Sequence, residues 1–264
     1  MIMLVCCSFT IYAQDSSNNS KNKFDFKEKI DKSFNILDYL SSVGLSAGVI
    51  EFNGDIIESG FMNSVNISNM YSVRVGKEIN EILTVRSDFI FGYLNGEKQT
   101  AVSEVYDPYS FYEGKGEEFN SDFMELDLIA NINIESILTQ YLSYSDKNQL
   151  DFYSDIGVGL LSFKTIKRNL ETENYIYGYG YNDVLGGFEE AKSLSDRPKA
   201  SILAYGMSVG YEIDDNIICT FSVMNKLTNT DFIDASKMDT NNDNYLYIGF
   251  SLDWKIEDGK IATH

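Results

Sequence analysis

The sequence predicts an all-β fold, an eight-stranded antiparallel up-and-down transmembrane β-barrel, with a short N-terminal helix before it. Three observations carry that expectation. From residue 43 onward, apolar side chains alternate with small or polar ones at a period of two, so a strand there has two unlike faces. The joins between these segments alternate between short and long, as they do when turns lie at one end of a barrel and loops at the other. The polar parity also holds both the charges and the glycines, which suits the narrow axis of an eight-stranded barrel better than it suits solvent.

Composition narrows the functional classes. The chain has 264 residues and a formal net charge of -19, so phosphate-rich nucleic acid is an unfavourable partner. It carries 18 Tyr, 17 Phe and 19 Gly against only 2 Pro, an aromatic content that an acidic disordered tail lacks. The cysteines are Cys6, Cys7 and Cys219. The first two fall in a segment expected to be removed, and a single remaining thiol makes no internal disulfide. The only histidine is His264.

Residues 1–13, MIMLVCCSFTIYA, read as a signal peptide cut after Ala13. Residues 14–42 form an N-terminal periplasmic segment. Within it Ile30, Phe34 and Leu37 share one helical face between Phe24 and Leu40, which predicts a short amphipathic helix. Residues 43–257 are the barrel, and residues 258–264 a tail. The strands are expected at Val43 to Phe52, Asn69 to Glu78, Ile82 to Leu94, Phe123 to Ile134, Leu150 to Phe163, Ser201 to Ile213, Asn216 to Leu227 and Asn244 to Ile256. Each is about the ~9–11 residues that cross a bilayer obliquely. In the last, Leu246, Ile248, Phe250, Leu252, Trp254 and Ile256 take one face and Tyr245, Tyr247, Gly249, Ser251, Asp253 and Lys255 the other. The long joins are expected at residues 53–68, 95–122, 164–200 and 228–243.

A membrane barrel turns the apolar parity to lipid and the charges inward. Arg74, Arg86, Asp88, Glu125, Asp127 and Glu212 lie on the inward parity. An unpaired charge in a narrow lumen is costly, so these six are expected to form a lumen ion-pair network. Tyr71, Tyr93, Tyr211 and Trp254, near strand ends, suit aromatic belts.

The first strand LSAGVIEFNGD, the hairpin VRVGKEINEILTVRSDFIFGYLNG, the strand IGVGLLSF and the closing strand DNYLYIGFSLDWKI resemble the OmpA-like eight-stranded outer-membrane β-barrels of Gram-negative bacteria. The resemblance covers Val43 to Ile256 and implies residence in the cell outer membrane. The closing strand is similar to the signal read by the barrel-assembly machinery. Many members carry a peptidoglycan-binding domain after the barrel, and no such segment follows here before His264, so an anchoring role is not implied.

Little in the chain points to catalysis. A general base near neutral pH is usually His, and the only one lies in the tail, so the protein is expected not to be an enzyme. Glu117-Glu118 and Glu189-Glu190 read as solvated loop charge. Asp239 to Asp243 opens like a calcium loop but has Asn244 in place of the glycine and Phe250 in place of the closing acid, so no metal and no cofactor is expected. Tyr175, Tyr177, Tyr179 and Tyr181 in the longest loop are candidate contacts for an extracellular glycan or protein. The expected partners are outer-membrane lipid and lipopolysaccharide, with the barrel-assembly machinery during biogenesis. The expected function is structural or surface-interacting with a plugged lumen. A narrow pore for small solutes and a soluble periplasmic ligand-binding barrel are the alternatives.

Overall fold

The computed structural model describes residues 39–54, 67–98, 116–142, 150–184, 187–235, 242–257 and 260–261. The predicted signal peptide, nearly all of the predicted N-terminal helix, the opening of the calcium-like stretch and His264 lie outside the described residues. Eight long strands, β1 to β8 in chain order, span Ser42–Asn53, Ile67–Glu78, Leu83–Lys98, Glu117–Asn133, Leu150–Asn169, Lys199–Asp214, Ile217–Thr228 and Asn244–Glu257. Each pairs antiparallel with its neighbour in sequence. β1 and β8 pair along their whole length, from Ser42↔Lys255 to Asn53↔Asn244. The sheet closes on itself, so through the body of the barrel each long strand has a partner on both sides.

The period-two pattern resolves into an inside and an outside. Leu45, Val73, Phe89, Leu126, Leu128, Val158, Leu160, Met207, Phe250 and Leu252 are exposed on the outer surface. Arg74, Arg86, Asp88, Glu125, Asp127 and Asp155 are buried in the lumen. Leu160 and Leu161 make the point within one strand: the first is 63% exposed, the second 1%. Glycines on the inward parity permit close approach. A Cβ at Gly206 would lie 2.2 Å from the Val223 carbonyl oxygen, and one at Gly48 would lie 2.4 Å from that of Ile248.

Two elements differ from the expectation. The join after β4 holds a helix, α1 (Ile134–Leu142), where the reading of the sequence placed no element. Asn133 caps it by accepting the Ser136 N–H at 2.9 Å, and Glu135 lies in the first turn, both favourable at a helix N-terminus. The second difference is length. β3 and β4 stay paired out to Lys98↔Glu117, and β5 continues to Asn169. Glu117 and Glu118 are therefore strand residues, not loop charge. Beyond the apolar belt the outward positions turn polar, as at Asn120, Asp122 and Lys164, while the inward ones mix Phe119 and Phe163 with Glu117 and Lys167, so the hydropathy alternation ends while the backbone ladder continues.

Candidate functional site

Among the described residues, charged side chains are buried together in the lumen, which is built in layers. At the short-turn end, Glu212 on β6 pairs with Lys255 on β8 at 2.8 Å, half-exposed at the rim. A cavity of 350 Å³ opens there, lined by Ser42, Arg74, Arg86, Asn131, Tyr153 and Asp253 among others. Above it lies the first ion cluster. Arg86 Nε donates to both oxygens of Asp88, at 2.9 and 3.0 Å. Arg74 lies 3.6 Å from Asp88 and 3.4 Å from Asp253. Arg86 also reaches Asp155 at 3.8 Å, and Asp155 accepts from Asn131 Nδ2 and Ser208 Oγ at 2.7 Å each.

A second cluster sits toward the long loops. Lys226 on β7 reaches across the lumen to Glu125 and Asp127 on β4, the latter at 2.7 Å. The Tyr245 hydroxyl donates to the other oxygen of Glu125. All four are essentially inaccessible. Free space between the two clusters is 10 Å³, bounded by Arg74, Arg86, Asp88, Ile90, Lys226 and Tyr247. A single water needs about as much.

The final layers are apolar and then capped. Ile50, Phe52, Leu94, Phe119, Phe123, Phe163 and Tyr245 fill the axis, with Phe52 and Phe119 packed edge to face at 5.1 Å. Residues 229–235, after β7, then fold back into the mouth. Ile233 is fully buried. Its N–H donates to Asp243 Oδ2 at 2.8 Å, and its carbonyl accepts from Thr165 Oγ1 at 2.7 Å. Phe232 packs on Tyr179 with ring centroids 5.1 Å apart. Lys167, fully buried, lies 3.5 Å from Glu117 beside it.

The six residues read from the sequence thus fall into three groups, not one network. Arg74, Arg86 and Asp88 come together. Glu125 and Asp127 are brought to Lys226 and not to either arginine: Asp127 lies directly opposite Asp88, and Glu125 one inward step further toward the loops, opposite Ile90. Glu212 lies at the rim. The reading missed Lys226, Asp253 and Lys255 as partners, although they occupy the same parity: from Ser222 and Met224 one further step along β7 reaches Lys226. The capping segment around Ile233 has no periodicity and gave no signal.

Tyr175–Tyr179 forms a short strand on the extension of β5, through Thr165↔Tyr179 and Lys167↔Tyr177. Tyr177 and Tyr179 stack edge to face at 4.9 Å, and Lys164 lies over the Tyr181 ring at 5.6 Å. Tyr175 is the most outward of the four, at 38% exposed. Among the described residues no group of acids, His and Cys is arranged to hold a metal ion.

Together these features define a class: a closed eight-stranded barrel with an apolar outer belt and a polar, packed interior, the construction of outer-membrane barrels. Among solved structures, the chain is similar to Neisserial surface protein A at 10% identity and a TM-score of 0.44, covering 81% of this chain and 96% of that one. It is similar to the attachment invasion locus protein Ail of Yersinia pestis at 12% identity and a TM-score of 0.37, covering 81% and 99%. A major outer membrane protein of Thermus thermophilus matches at 9% identity and a TM-score of 0.39, also covering 81% and 99%. At such identities these are likenesses of fold alone. No protein-family model matches the chain, and no curated protein does.

Proposed function

We propose that the protein is a non-enzymatic β-barrel of the Gram-negative outer membrane, with a structural or surface-interaction role. Its lumen is plugged and its long loops are presented outward. The barrel's outer surface supports the membrane setting: an unbroken belt of exposed Leu, Val, Phe and Met side chains circles it, a surface that water disfavours and acyl chains accept. Lipid and lipopolysaccharide are then its immediate surroundings, and the barrel-assembly machinery its route there. Tyr175 and its neighbours offer an aromatic face to a glycan or protein outside the cell.

One observation carries the plugged reading. Two buried ion clusters, with a void of only 10 Å³ bounded by residues of both, lie in series with an aromatic layer and a capped mouth. Moving hydrated ions through would require breaking the Lys226 contacts with Glu125 and Asp127 in a low-dielectric setting, where leaving a charge unpaired is expensive. Recording from the purified chain in planar bilayers tests it. The expected result is no steady conductance. A steady open level would replace this reading with that of a narrow pore.

A further inference from the structure

On the outward face of β5 and β6 the surface changes character within a single step. Val158 and Leu160 on β5 and Leu203 on β6 are 60%, 63% and 46% exposed. The next outward positions toward the long loops are Ser162 and Lys164 on β5, and Ser201 and Lys199 on β6. Leu160 pairs with Ser201 and Ser162 with Lys199. Lys164 is therefore the diagonal neighbour of Lys199, with Cβ atoms roughly 7–8 Å apart. The turn leading into β6 adds Arg197 and is fastened to the wall. The Phe163 N–H donates to the Pro198 carbonyl at 3.2 Å, and Arg197 Nε donates to the Lys192 carbonyl at 3.1 Å. Leu194 in the same turn is exposed.

The charges here are not all spoken for. Asp122 on β4 holds Lys164 at 2.7 Å, and Asp196 accepts from Ser193 Oγ at 2.7 Å. Among the described residues, neither Arg197 nor Lys199 has an ion-pair partner. Beneath them the Ser162 hydroxyl is covered and has no hydrogen-bond partner among the described residues. In a chain of net charge -19, two cations with no ion-pair partner among the described residues lie directly above an apolar wall.

We propose that this patch binds the phosphorylated headgroup of an acylated anionic lipid in the outer leaflet. Its acyl chains lie along Val158, Leu160 and Leu203. Its phosphate oxygens accept from Lys199 and Arg197, and Lys164 closes the near side. The inference rests on the outer-membrane reading above and adds to it a defined side of the barrel and a headgroup chemistry.

The test uses the full chain folded in detergent micelles, titrated with diphosphorylated lipid A and separately with its dephosphorylated form. Bound lipid is read by native mass spectrometry. The expected result is a preference for the phosphorylated lipid that the Lys164→Gln/Arg197→Gln/Lys199→Gln variant loses by about a hundredfold, or about fivefold per charge. Lys77→Gln, outward on β2 at the opposite end, leaves it unchanged. Equal binding of the two lipids, or equal binding by the triple variant, overturns the proposal. Insertion into vesicles, read by a heat-dependent shift on gels, is scored separately. A chain that folds and inserts but ignores the phosphate defeats only the lipid site, whereas one that never inserts defeats the membrane reading.

Discussion

Lys226 is the only cation among the described residues that meets Glu125 and Asp127, so removing it leaves two carboxylates buried against each other. Lys226→Met is expected to cost about 3–5 kcal/mol, the usual penalty for breaking a buried pair from one side. The fully neutral variant Glu125→Gln/Asp127→Asn/Lys226→Met should recover most of that, because no charge is then stranded. Urea unfolding from lipid vesicles, followed by fluorescence, checks both. A single variant as stable as the parent would mean that the cluster is hydrated. Glu118 poses a milder problem outside the belt. Burial pushes its pKa up, the nearby Arg168 pulls it down, and Glu97 and Glu173 push it up again. Because the folded-state pKa is raised, the charged form costs stability at neutral pH, and that cost falls away as pH drops through the folded-state pKa. Glu118→Gln should therefore raise the melting midpoint at neutral pH, with an advantage that shrinks in acid. A gain that persists unchanged in acid would rule out titration of Glu118 as its source.

The strands were legible because each repeats the same choice every second residue, and a one-residue slip would turn its whole apolar set inward. The pairings across the lumen were harder to read. Lys226 meets Glu125 across the barrel, about a hundred residues away in sequence, and only the stagger of the intervening strands decides which layer each occupies. The capping segment was illegible for another reason: Ile233 is held by Asp243 and Thr165, single hydrogen bonds with no pattern around them. Asp243→Ala deletes the acceptor of the Ile233 N–H and should cost about 1–3 kcal/mol, the price of a buried donor left unsatisfied. The loss should be local. Limited proteolysis is expected to cut within residues 229–235 while the barrel keeps its heat-dependent gel shift. Cleavage no faster than in the parent would show that the cap is held by packing instead. Gly206 speaks for the wall itself. Its missing Cβ would meet a backbone carbonyl that cannot rotate away, so Gly206→Ala should cost about 1–3 kcal/mol through overpacking, seen as a lower urea midpoint.

For the molecule as a whole, the outward belt and the inward charges are a single property, since a period of two fixes both at once. Polar residues end the belt toward the long loops on six of the eight strands: Glu51, Asn69, Asp122, Lys164, Lys199 and Asn244. Tyr93 marks the same edge, its hydroxyl accepting from Asn69 Nδ2 at 3.0 Å, while Asn225 Nδ2 donates to the Tyr205 hydroxyl at 2.6 Å within the belt, one outward step inside Leu203 and Leu227. Trp254 belongs to the opposite edge. It lies on the outward parity of β8, paired with Val43 on β1 and Ile217 on β7 near the short turns, and it is the only tryptophan in the chain. Its fluorescence therefore reports one depth on one face. In vesicles of brominated lipids, quenching should be strongest when bromine sits near the headgroups and weaker when it sits at the acyl ends, because an indole prefers the interface. Absence of quenching at every depth would place Trp254 away from lipid and count against the outward facing of the apolar parity that β8 carries from Leu246 to Trp254.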